Sequence, residues 1–166
     1  MRVSIVLAMS LVVASAASAA SHKSEKEGPA FAFRYVEGRK MTLDTYKGTL
    51  TKSYVQLRDT TIQFTLPQAD LDSIRAVMVG IHFFELQKPP TDWTKLCPVT
   101  EPGTQIQIEA TLNGRTRKLS WSTDFAECDA TNPVWAGLDA LRWVIWRSIH
   151  KQPEYKALPQ LMVVFE

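Results

Sequence analysis

The sequence is poor in the residues that build metal and redox sites. Its 166 residues include three histidines and two cysteines. No two histidines have the i, i+4 or H-x-H spacing of paired metal ligands, and Cys97 and Cys128 are too far apart for a C-x-x-C pair. The acidic residues Asp124, Glu127 and Asp129 lack the turn glycine of a calcium loop. The sequence therefore predicts no metal site and no cofactor.

Excess charge of one sign and long apolar runs are also absent. Nineteen basic and seventeen acidic residues give a formal net charge of +2. This balance argues against a nucleic-acid-binding surface and against a polybasic membrane patch. No apolar run approaches the ~20 residues that a membrane-spanning helix needs. We therefore expect no nucleic-acid partner and no transmembrane segment in the mature chain.

The first twenty residues have the order of a secretory signal peptide. Arg2 supplies a positive charge, Ile5 to Val13 is apolar apart from one serine, and Ala14 to Ala20 contains only alanine and serine. An A-x-A cleavage site ends at Ala19. We therefore expect cleavage near Ala19 or Ala20 and an extracytoplasmic location, either periplasmic or secreted.

Export changes the interpretation of the two cysteines. In an oxidising compartment, Cys97 and Cys128 most simply form one disulfide bond, and two free thiols are the alternative. Residues 21–29 are polar and typical of a flexible leader. Residues 30–166 are then expected to form a single domain.

The first half of this domain shows strand patterns followed by a helix. The expected strands are Phe31–Val36, Met41–Tyr46, Thr49–Leu57 and Thr60–Leu66. Pro67 is expected to open a helix that ends near Gly80 to His82. Its apolar residues recur at helical spacing, at Leu71, Ile74, Met78 and Ile81.

A hairpin signal follows. Asn113-Gly114 separates two alternating segments, Thr104–Leu112 and Arg115–Trp121, and favours a two-residue type I′ turn. This turn fixes a register that pairs Ile106 with Trp121 and Glu109 with Lys118. Arg115 and Arg117 fall opposite Leu112 and Ala110, so we expect the sheet to extend past the core near this tip.

A second helix is predicted after the hairpin. Asn132 can cap it, Pro133 is suited to its first position, and the helical pattern runs to about His150. The predicted core stripe is Val134, Leu138, Leu141, Ile145 and Ile149. Hairpins combined with two main helices predict the α+β class, an antiparallel sheet with both helices packed on one face.

Three tryptophans fall outside the predicted core stripe of this helix. Trp135, Trp143 and Trp146 share one flank with Arg142, and tryptophan and arginine supply much of the energy at binding interfaces. The flank is therefore a candidate contact face. Alternatively, the C-terminal tail, with Tyr155 and the apolar residues 161–165, folds back over it. Arg115 and Arg117 at the hairpin tip are a second candidate contact.

Four segments resemble uncharacterised secreted bacterial proteins and lipoproteins of unknown function. They are Asp44–Lys52, Phe83-Phe84, Leu119-Ser120-Trp121 and Pro153–Pro159. The lipobox cysteine of the lipoproteins is missing. The resemblance implies an extracytoplasmic α+β domain and supplies no catalytic residues.

These observations favour an exported, non-enzymatic domain that binds a protein or an envelope component. One alternative is a small hydrolase, in which Ser120 or Ser122 would act with His82 or His150 and Asp124, although no G-x-S-x-G motif is present. The other alternative is a purely structural or inhibitory envelope protein.

Overall fold

The computed structural model describes residues 30–54, 58–87, 103–123 and 132–159. These segments form a six-stranded antiparallel sheet and three helices, which confirms the α+β class. The expected signal peptide, the leader, Cys97, Cys128, the acidic loop at 124–131 and the apolar tail at 161–165 lie outside the described residues. The disulfide and the cleavage site therefore remain predictions.

The sheet has the order β4-β3-β2-β1-β5-β6. Its strands are β1 (Phe31–Glu37), β2 (Met41–Asp44), β3 (Thr49–Lys52), β4 (Thr60–Gln63), β5 (Gln105–Leu112) and β6 (Arg115–Ser122). The first four form a meander, and β5 pairs with β1 from the other side. The hairpin β5–β6 therefore extends the sheet beyond its first strand.

The hairpin register is confirmed. Ile106 pairs with Trp121 and Glu109 with Lys118. Asn113 and Gly114 have φ angles of 49° and 78°. A type I′ turn requires positive φ at both central positions, and Asn-Gly tolerates this. Local turn chemistry and the two-residue side-chain period are thus sufficient to set this pairing.

The helices are α1 (Gln68–Gly80), α2 (Pro133–His150) and α3 (Pro153–Lys156). Pro67 lies at the N-cap of α1, and Asn132 caps α2 by accepting a hydrogen bond from the Val134 amide. Side chains from one face of the sheet form a single apolar core with α1 and α2. Among described residues, no helix has the length and apolarity required to cross a membrane.

The two main helices approach closely at one end and are joined at the other. A Cβ atom on Gly137 of α2 would lie 2.8 Å from Cγ2 of Ile81, just after α1, so the helix spacing requires glycine there. At the other end, Asp70 of α1 accepts a hydrogen bond from Nζ of Lys151 and one of 3.1 Å from Nε2 of Gln152. We call the contact of Asp70, Lys151 and Gln152 the interhelix clamp.

Candidate functional site

The three tryptophans of α2 occupy three different environments. Trp135 is 2% exposed and belongs to the core, Trp146 is partly buried, and Trp143 is 43% exposed. The expectation that Trp135 lies outside the core is wrong, and so is the assignment of Val134, which is 38% exposed. Val134 lies in the first turn of α2, beside the exposed Pro133, so its angle on the helix does not bury it. The exposed aromatic surface is therefore centred on Trp143.

Arg142 connects this surface to the sheet. Its Nε donates to Oδ1 of Asp139 at 3.1 Å, and its guanidinium carbon lies 4.7 Å from the centroid of the Trp143 ring. Its Nη1 is 4.0 Å from Oε1 of Glu37, at the end of β1. An arginine held between two carboxylates and an indole has a defined orientation, and its charge interacts favourably with the ring face.

Glu37 is a buried carboxylate that faces the helices. It is 8% exposed, and its Oε2 accepts a hydrogen bond of 3.1 Å from the Tyr35 hydroxyl. Burial first, and then the charge of Glu37, raise the pKa of Tyr35, so the phenol stays a proton donor. We call Tyr35, Glu37, Asp139 and Arg142 the Glu37 cluster.

His150 forms the inner boundary of the surface. Its Nδ1 donates to the Trp146 carbonyl at 2.8 Å, and its ring lies 3.7 Å from the Trp146 ring and 4.1 Å from the Tyr155 ring, centroid to centroid. Burial is the largest cause that lowers the pKa of His150, and the charge of Lys52 acts in the same direction. The Trp146 carbonyl and Glu37 act in the opposite direction. The neutral ring therefore keeps its second nitrogen, Nε2, as an acceptor.

The C-terminal segment covers part of the flank, in line with the alternative considered from the sequence. Tyr155 of α3 packs on His150, and the Pro159 carbonyl accepts hydrogen bonds from Lys52 Nζ at 3.0 Å and the Tyr54 hydroxyl at 3.3 Å. These contacts place the segment beside Trp146, whereas Trp143 stays exposed. The apolar residues 161–165 lie outside the described residues.

The second candidate contact, at the hairpin tip, has a structural role. Arg115 donates to the Phe84 carbonyl at 2.9 Å and to Glu85 at 2.6 Å, and Arg117 donates to the Leu86 carbonyl. Through these contacts the turn after α1 packs against this end of the hairpin, while the Arg115 side chain stays 61% exposed.

Of the hydrolase candidates, Asp124 lies outside the described residues, and within them no hydrogen bond joins Ser120 to His82 or His150. Ser120 is exposed on β6 opposite Gln107, His82 is exposed after α1, and His150 contacts the Trp146 carbonyl. Among the described residues, no group of three or more potential ligands could hold a metal ion. Glu37 was not among the residues predicted for a site, although the alternation Phe33, Tyr35, Glu37 places it on the inward face of β1.

Comparison with known proteins adds no relatives. No protein-family model matches the chain, and a search of curated proteins finds no match.

Proposed function

We propose that the protein is an exported, non-enzymatic domain that binds a partner, a protein or an envelope component, through the outer flank of α2. The export part of this proposal depends on the signal-peptide pattern in the first twenty residues. The binding part depends on Trp143, Trp146 and Arg142, which we call the tryptophan surface.

The observation that carries the proposal is the exposure of Trp143. An indole that is 43% exposed contributes apolar area that the fold itself does not use. Its position is fixed by Arg142 on one side and by Trp146, whose ring centroid is 5.4 Å away in an edge-to-face arrangement. An aromatic side chain that is already ordered loses little conformational freedom on binding, which favours affinity.

Capture from envelope extract tests the proposal. The wild-type mature domain and the variants Trp143→Ala and Trp146→Ala would be immobilised, and bound proteins and glycans would be quantified. We expect Trp143→Ala to reduce capture of the partner about tenfold or more, because tryptophan truncation at an interface typically has effects of this size.

Val134→Ala is the matched control, since it shortens another exposed apolar side chain of the same helix, 38% exposed. It should capture the partner as well as the wild type does. Circular dichroism would confirm that each variant is folded. Equal capture by the wild type and both tryptophan variants would contradict the proposal.

A further inference from the structure

The solvent-facing side of α2 carries a helical stripe centred on Trp143. Ala136, Ala140, Trp143 and Arg147 follow one another at intervals of four, three and four residues, and all four are exposed. Residues at this spacing lie on one side of a helix. The two alanines leave the backbone accessible to close approach by another helix, and the indole projects beside them.

The charges beside the stripe are arranged symmetrically about Trp143. Asp139 precedes it by four residues and Arg147 follows it by four. Each charge is therefore about 6 Å from Trp143 along the helix axis, in opposite directions. Asp139 keeps 32% of its side chain exposed while it contacts Arg142. Arg147 forms no ion pair within the part of the chain that the structure describes.

We propose that this stripe, which shares Trp143 with the tryptophan surface, binds a second copy of this chain, with the two α2 helices packed antiparallel about a two-fold axis near Trp143. The inference rests on the proposed function and names its partner. Each copy then presents a row of side chains at i, i+4 spacing, formed by Asp139, Trp143 and Arg147. The two rows run antiparallel, and side-chain rows of this spacing are a common means of helix packing.

The two-fold symmetry makes the charges complementary. Asp139 of each copy meets Arg147 of the other, so one pair of residues provides two ion pairs across the interface. The two Trp143 rings meet near the axis, beside the small side chains of Ala136 and Ala140. Such a self-complementary patch is what an isologous dimer requires.

The expected dimer is weak. One face of an 18-residue helix provides a contact at the small end of known interfaces, below about 1,200 Å² in total. The ion pairs lie at the surface, so salt screens them. Association should therefore depend on protein concentration and weaken as ionic strength rises.

Sedimentation equilibrium of the full mature chain, over a wide concentration range, tests the inference. The wild type should shift from monomer to dimer with concentration. Trp143→Ala should weaken association about tenfold or more. Arg147→Asp should also weaken it, because it places like charges against each other at both ends of the contact.

A charge-conserving variant provides the matched control. Arg147→Lys keeps the positive charge and should associate as the wild type does, whereas Arg147→Asp should weaken the dimer. Val134→Ala should have no effect. Arg147 is exposed, and it forms no ion pair with any residue that the structure describes. Its substitution is therefore expected to leave the fold intact, which circular dichroism would verify.

Two results would overturn the dimer. One is a wild-type chain that stays monomeric at every concentration. The other is a dimer that Trp143→Ala or Arg147→Asp leaves unchanged. If the chain is monomeric but Trp143→Ala still abolishes capture from extract, this inference fails and the proposed function stands with a different partner. If the dimer forms as expected but nothing else is captured, the second copy is the partner.

Discussion

Asp70 and Glu37 are both carboxylates less than a tenth exposed, but the fold compensates their charges differently. Asp70 contacts Lys151 and Gln152 directly, and these contacts join α1 to the segment after α2. Among the described residues, Glu37 accepts directly from the Tyr35 hydroxyl alone. Arg142 lies 4.0 Å from it and also contacts Asp139 and Trp143. The contacts of Asp70 therefore stabilise the fold, whereas the cation near Glu37 also belongs to an exposed surface.

The largest effect is expected at the interhelix clamp. Asp70→Ala removes both contacts and leaves the amide of Gln152 with fewer acceptors, so we expect the free energy of unfolding to fall by about 2 kcal/mol. Chemical denaturation would measure it. Asp72→Ala is the control, because Asp72 is 49% exposed in a surface pair with Arg75, and such pairs contribute at most about 1 kcal/mol. Equal losses of unfolding free energy in the two variants would show that the interhelix clamp stabilises the fold no more than a surface ion pair does.

A smaller effect on stability is expected in the Glu37 cluster. Glu37→Gln keeps an oxygen that can accept from Tyr35 but removes the charge near Arg142, so we expect a loss of about 1 kcal/mol. In the wild type, the charge of Glu37 raises the pKa of His150. Its removal should therefore lower this pKa further. A proton NMR titration of His150 would measure the shift. A loss of stability as large as that of Asp70→Ala would remove the distinction between the two carboxylates.

The smallest effect concerns pH. Because the pKa of His150 is lowered in the folded state, its contribution to stability is present above the unfolded value of about 6.5 and is lost as pH falls through the folded value. His150→Phe keeps a ring between Trp146 and Tyr155 and removes the titrating group. This variant should therefore show a weaker decline of unfolding free energy between neutral and mildly acidic pH.

Tyr155→Phe is the matched control, since it keeps the ring that packs on His150 and leaves the imidazole in place. It should keep the pH dependence of the wild type. Denaturant titrations at several pH values would compare the three proteins. If the unfolding free energy of His150→Phe depends on pH as that of the wild type does, a group other than His150 is responsible for the decline.

The sheet was predictable from the sequence where local chemistry decides. The register of β5 and β6 follows from the Asn113-Gly114 turn, and the inward faces follow from alternation along each strand. Glu37 was recognisable by the same alternation, as a charged residue at an inward position. Its partners were not, because Arg142 is brought to it only by the packing of α2 on the sheet.

Two features were not predictable from the sequence. A helical projection places residues by angle alone, so it does not show that Val134, in the first turn of α2, is exposed. The acceptors of Arg115 and Arg117, the carbonyls of Phe84 and Leu86, lie about thirty residues earlier in the chain. Non-local contacts of this kind leave no periodic signal in a sequence.

The position of the tryptophan surface depends on a residue on another side of the same helix. Gly137 sets how near α2 can come to Ile81, and Trp143 is carried on that helix less than two turns later. A helix moves largely as a rigid rod, so a bulkier side chain at 137 would displace Trp143, Arg147 and Asp139 together. A substitution at 137, which is not part of the tryptophan surface, is therefore expected to reposition that surface.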